Sequence, residues 1–107
     1  MTKSLISISK QYSRFPAGRY RKDGPYSGER FRDEILIPAL RDNQEVIVDL
    51  DNVMGFGSSF LEEAFGGLMR HGVSYETVVN KLHIKSSVET YKNSIKQYML
   101  DQSKRNM

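Results

Sequence analysis

The chain has 107 residues, of which 38% are hydrophobic and 27% charged, a composition that fits one soluble globular domain spanning residues 1–107. Cysteine is absent, which excludes disulfides, thiolate chemistry and Cys-ligated zinc; the two histidines, His71 and His83, match no metal-ligand spacing, so no metal site is expected. No apolar run approaches the length of a membrane span, and Met1-Thr2-Lys3 is not followed by a signal-peptide core, so a reducing, cytoplasmic setting away from membranes is expected.

The net charge of +3 conceals a segmented distribution. Residues 1–32 carry a net +6, residues 33–63 a net −7 and residues 64–107 a net +4. A nucleic-acid partner would have to meet the two ends rather than the whole surface.

In chain order, Ser4 to Ser9 has Ile6 and Ile8 at period two and predicts a short strand. Lys10 to Ser27 holds Pro16, Gly18, Gly24 and Pro25 without apolar periodicity, and predicts a long loop with a short strand near Gly18–Arg21. Ser27 to Asn43 predicts a helix, with Ser27 as its N-cap, Phe31, Ile35, Ala39 and Leu40 on one stripe, a kink or a loosened last turn at Pro38 and Asn43 as a left-handed stop. Glu45 to Leu50 is β-rich without alternation, as in a strand covered on both faces.

After a turn over Asp51 to Gly57, a helix follows from Ser58, with Phe60, Leu61, Ala64, Phe65, Leu68 and Met69 on its apolar face. Ser59 and Glu62 have capping-box spacing. Gly66 and Gly67 inside that helix cost about 1 kcal/mol each against alanine, tolerable where a neighbour packs close to the backbone. A short helix over Ser74 to Lys81, a strand over Leu82 to Lys85 and a last helix bearing Val88, Tyr91, Ile95, Tyr98 and Met99 complete the chain, with Ser86 and Glu89 as a second capping box. The alternation predicts an α/β domain, a small mixed sheet with packed helices.

Two places carry candidate chemistry. The first is the turn after the central strand, Asp51 through Ser59. Ligands in open α/β sheets bind beyond the carboxyl ends of strands, and a helix N-terminus favours phosphate. Ser58 and Ser59 could therefore bind or carry a phosphate, or simply sit in the turn and cap the helix. The second is the basic aromatic loop. Arg14, Arg19, Arg21 and Lys22, interleaved with tyrosines, could hold a phosphate, a nucleotide or a nucleic-acid backbone. Alternatively Phe15 and Tyr20 anchor the loop while its arginines pair with the acidic middle segment. Asp49 and Asp51 sit at a strand end, but no nucleophile–base pair has interpretable spacing, so neither catalysis nor a cofactor is expected.

Val48-Asp49-Leu50, Val53 and Ser58-Ser59, followed by an apolar helix, resemble the STAS domain of anti-sigma-factor antagonists, sulfate transporters and stressosomes. The stretches Phe15-Pro-Ala-Gly-Arg-Tyr-Arg, Asp23-Gly-Pro-Tyr-Ser-Gly-Glu and Gly57-Ser-Ser-Phe-Leu-Glu-Glu-Ala-Phe-Gly-Gly-Leu bring the resemblance closer to a divergent STAS-like family of uncharacterised function. The resemblance implies a STAS-like fold and a bacterial regulatory module. It puts a phosphorylation candidate at Ser58, and it implies a partner in a histidine-kinase-like ATPase acting as serine kinase. The chain departs from the STAS pattern at Gly57, where the pattern has Asp, and at Phe60, where it has Gly. Glu62 and Glu63 stand where they would repel an added phosphate. On this reading the domain is a non-enzymatic switch that docks another protein through Gly57, Ser58, Phe60, Glu62 and Glu63. The alternative is nucleotide or nucleic-acid binding through residues 14–22.

Overall fold

The computed structural model describes residues 2–105, so Met1, which opens the segment read above for a signal peptide, lies outside the described residues. Three strands, β1 (Lys3–Ser7), β2 (Glu45–Asp49) and β3 (Leu82–Lys85), form one sheet in the order β1-β2-β3. Both pairings are parallel, Ile6 opposite Val48 and Val48 opposite Ile84, so the expected mixed sheet is purely parallel among the described residues.

The order advances one way across the sheet. Right-handed crossovers, the rule for such units, then drop every connecting helix on the same face. Burial follows that geometry. Val46 and Val48 are fully buried, whereas Glu45, Ile47 and Asp49 on the other face are only half-buried. β2 is therefore central but not covered on both faces as its composition predicts. Ion pairs from Lys3 to Glu45 and from Lys85 to Asp49 line the open face, with the His83 ring 3.6 Å from the Glu45 carboxylate.

β1 ends sooner than expected. Ser7 caps a single helical turn, α1 (Ile8–Gln11), and the Gln11 amide reaches back to the β1 backbone at Leu5 and Ser7. Those groups point away from β2, so Gln11 blunts an edge strand. The stretch Gly18–Arg21 forms no strand; a 3-10 turn (Arg21–Asp23) follows it.

Helix α2 (residues 28–42) starts where the sequence puts it, with the Ser27 hydroxyl accepting from the Arg30 N–H. Its middle widens into a π-turn (Arg32–Leu36), where the Ile37 N–H donates to the Arg32 carbonyl just ahead of Pro38. Asn43 is extended rather than left-handed; it ends the helix by donating its side-chain amide to the Ala39 carbonyl.

Helix α3 (residues 58–70) carries a second π-turn (Glu62–Gly66). It packs against α2 on one side and α5 (Glu89–Arg105) on the other. The approach to α2 is close. A Cβ on Gly28 would lie 2.6 Å from the Phe60 carbonyl oxygen. Helix α4 (Tyr75–Lys81), capped by Ser74, leads into β3. The core between sheet and helices gathers Ile6, Val46, Val48, Phe31, Phe60, Phe65 and Ile95, each at most 3% exposed.

Candidate functional site

The turn between β2 and α3 leaves the carboxyl end of the central strand and is held from three sides. The Asp49 carboxylate accepts from the Asp51 N–H at 2.9 Å. The Asp51 carboxylate accepts from both the backbone N–H and the hydroxyl of Ser87, at 2.8 and 2.9 Å, which ties the turn to the start of α5. Those hydrogen bonds hold the Asp51 carboxyl below its ordinary range. The Phe56 N–H donates to the Tyr91 hydroxyl at 3.3 Å, and the two rings meet edge-on at 5.3 Å. From the loop side, the Met54 N–H donates to the Arg14 carbonyl at 2.9 Å and the Arg14 guanidinium donates to the Asn52 carbonyl at 3.4 Å. Asn52 adopts φ +69, a conformation asparagine tolerates in tight turns.

Gly57 is the N-cap of α3 and brings no side-chain acceptor, so the expected Ser59–Glu62 capping box does not form. Ser58 and Ser59 occupy the first two helical positions, and both are exposed. Their hydroxyls make no hydrogen bond among the described residues.

Phe60 and Glu63, expected at a docking surface, lie inside. Phe60 is fully buried, stacked between Phe31 and Phe56 at ring separations of 6.1 and 5.6 Å. Glu63 is 4% exposed and belongs to an internal ion network. Its carboxylate accepts from Arg32 at 2.5 Å, Arg19 at 3.1 Å and Arg70 at 3.2 Å. Glu62 accepts from Arg19 at 2.5 Å and Arg70 at 2.9 Å. Burial raises the Glu62 pKa, but the Arg70 and Arg19 hydrogen bonds outweigh it and leave the carboxyl below its usual range. Three guanidiniums thus meet two carboxylates one turn beyond the serines. The repulsion of a phosphate expected from Glu62 and Glu63 alone is offset.

Arg32 and Arg70 did not stand out in the sequence. The available signal was the glycine pair. A Cβ on Gly67 would lie 2.6 Å from an Arg32 guanidinium nitrogen, and one on Gly66 would lie 2.5 Å from a Glu62 carboxylate oxygen. The glycines make room for the network rather than for a neighbouring backbone.

The basic loop lies against these same elements. Arg19 belongs to the network, and Arg21 pairs with Glu34 at 2.6 Å and with Asp33 at 3.7 Å. The Lys22 ammonium sits 5.8 Å from the centre of the Tyr20 ring. Arg14 likewise turns to neutral partners, the Asn52 carbonyl and the Met54 sulfur. The pairing of the loop arginines with the acidic middle segment is therefore observed, but its proposed anchors are not. Phe15 and Tyr20 are exposed, and the loop is held by buried Pro16 and by Tyr12, whose hydroxyl donates to the Ser27 carbonyl at 2.8 Å.

Burial pushes the Tyr12 phenol up to about 12 from an ordinary 10.0. A pKa raised by folding contributes stability that is complete below pH 10 and is lost as pH rises toward 12. In an alkaline titration followed by phenolate absorbance, one tyrosine of the native chain is expected to ionise late, and Tyr12→Phe to abolish that late step. Titration of every tyrosine together in the folded parent chain would contradict this assignment.

A helix-backed parallel sheet whose central strand opens into a serine-bearing helix start defines a STAS-like α/β domain. The family described as STAS-like domain of unknown function (DUF4325) matches residues 27–92, and the chain belongs to it. The match takes in the turn, both serines and the network residues Arg32, Glu62, Glu63 and Arg70, and begins after the basic loop. No curated protein and no solved structure matches the chain. Among the described residues no helix is long and apolar enough to cross a membrane.

Proposed function

We propose that this domain is a non-enzymatic protein-interaction switch whose docking and control surface is the β2–α3 turn, with Ser58 as the phosphate acceptor. One observation carries the reading: the Ser58 and Ser59 hydroxyls are exposed at the start of a helix that lacks a side-chain cap. Backbone N–H groups there favour an anion, and the arginines paired with Glu62 and Glu63 keep the local charge from turning negative. A phosphoryl group adds about −1.5 to −2 charge and three strong acceptors, enough to change which partner surface fits.

The partner implied by the STAS resemblance is a histidine-kinase-like ATPase that transfers the γ-phosphoryl group of ATP to the serine hydroxyl. Incubating the chain with such an ATPase and ATP is expected to add one phosphoryl group by intact mass, and Ser58→Ala to prevent the addition. No transfer, or transfer that persists in Ser58→Ala, would overturn the assignment.

Nucleic-acid binding through residues 14–22 is the competing reading. The pairing of Arg19 and Arg21 with carboxylates weighs against it, since a phosphate backbone would have to displace those partners. Reversing the charge of Lys22 separates the two. Nucleic-acid affinity would fall, whereas phosphoryl transfer to Ser58 would persist.

A further inference from the structure

We infer that Phe15 and Met54, with Arg14 beside them, form the knob by which this domain seats in a partner protein, whose matching surface is an apolar socket edged by a carboxylate. This site presupposes the interaction reading above and says where the contact lies.

A single exposed apolar side chain is ordinary on a protein surface. These two are different. At 67% and 66% they are the most exposed of the large hydrophobic side chains described, and they come from segments some forty residues apart in the chain. The structure draws those segments together. The Met54 N–H donates to the Arg14 carbonyl at 2.9 Å, and the Arg14 guanidinium reaches back to the Met54 sulfur at 3.9 Å. Phe15 is the next residue along.

Both segments are held firmly. The Phe15 N–H donates to the Ser13 hydroxyl at 2.9 Å, Pro16 behind it is buried, and Tyr12 is pinned to Ser27. The Met54 side of the turn is clamped by Asp51 to Ser87 and by Phe56 to Tyr91. A backbone already fixed needs no ordering on binding, so only the side chains lose freedom, which favours a docking anchor.

Charge names the partner's chemistry. Arg19, Arg21, Arg32 and Arg70 each contact at least one carboxylate, whereas among the described residues the Arg14 guanidinium meets only the Asn52 carbonyl and the Met54 thioether. A guanidinium without a carboxylate, against a methionine and followed in the chain by an exposed phenylalanine, brings together residue types enriched in interface cores. Its complement is a carboxylate at the rim of an apolar pocket.

The test uses the full chain carrying a photo-crosslinking phenylalanine at position 15, with a second version carrying it at position 5 on the open sheet face. Each is irradiated in cells of the source organism, and the crosslinked protein is identified, purified and titrated against the parent chain, Phe15→Ala, Met54→Ala and Arg14→Glu. We expect capture from position 15, an affinity loss of about thirtyfold for Phe15→Ala, and a loss for Arg14→Glu that a carboxylate-to-lysine change in the partner reverses. Capture from position 5 alone, by a protein indifferent to Phe15→Ala, would overturn the knob and leave the interaction reading standing. Failure of both positions to capture any protein would overturn both. Capture of a second copy of this chain, or Phe15-dependent sedimentation with phosphatidylglycerol vesicles, would overturn the heterologous protein partner.

Discussion

Glu63→Ala is expected to lower the stability of the folded chain by about 3–5 kcal/mol, read as the loss in unfolding free energy in a urea titration followed by circular dichroism. Arg32 is 1% exposed, and its guanidinium is held by the Glu63 carboxylate at 2.5 Å and the Glu63 carbonyl at 3.2 Å. Truncating Glu63 leaves that guanidinium buried with one carboxylate neighbour, Asp33 at 2.9 Å, and leaves Arg19 and Arg70 leaning on Glu62 alone. The loss is the cost of a buried guanidinium left with a single, partly exposed carboxylate, not the net worth of the pair. Replacing both partners by apolar residues, Arg32→Met with Glu63→Leu, should therefore restore most of it. A Glu63→Ala chain within about 0.5 kcal/mol of the parent would show that water or relaxation reaches Arg32, contrary to its burial.

Phe60→Ala is the second large effect, again about 3–5 kcal/mol, because the ring is fully buried among Phe31 and Phe56 and its removal leaves a cavity. Its contrast is Phe15→Ala. Deleting that exposed ring should change stability by no more than about 0.5 kcal/mol. The pair separates the two roles a phenylalanine near this turn can have. Equal losses from both, or a Phe60→Ala chain as stable as the parent, would contradict the packing.

Why some of this was legible and some was not has physical reasons. Ser27 and the stripe of Phe31, Ile35, Ala39 and Leu40 reveal α2, because a capping hydroxyl and a helical period are local signals, although Leu36 is fully buried where Ile35 and Ala39 are only half-buried. The run Val46-Ile47-Val48 reveals the central strand for the same reason. That one face of the sheet stays open is not local. It follows from strand order, and β1-β2-β3 cannot be told from other orders by composition. Ser58 and Ser59 are where the sequence puts them, but their surroundings are not. Capping-box spacing at Ser59 and Glu62 competes with an ion pair, and the carboxylate goes to Arg19 and Arg70 across the fold. The arginines that receive it sit some forty residues before and eight residues after Glu62, so the pairing needed tertiary structure. Phe60 stands where the STAS pattern has glycine, and so reads as a surface departure. Its place in the helical series with Ala64 and Leu68 was the truer guide, since all three are fully buried.

The network also bears on the phosphorylation proposed at Ser58. Adjacent carboxylates without partners would oppose a phosphate. Carboxylates already paired with Arg19, Arg32 and Arg70 leave the first turn of α3 open to one, and Arg19 joins that turn to the loop that presents Phe15. The serine turn and the basic loop, separate features in the sequence, form one surface.

Hydrogen–deuterium exchange on the chain, free and bound to its purified protein partner, tests that surface most directly. Partner binding is predicted to slow exchange at residues 13–16 and 52–59 together while leaving the open face of the sheet and helix α4 unchanged. Protection confined to β1 and β3, or to residues 75–100, with the serine turn exchanging as in the free chain, would contradict it.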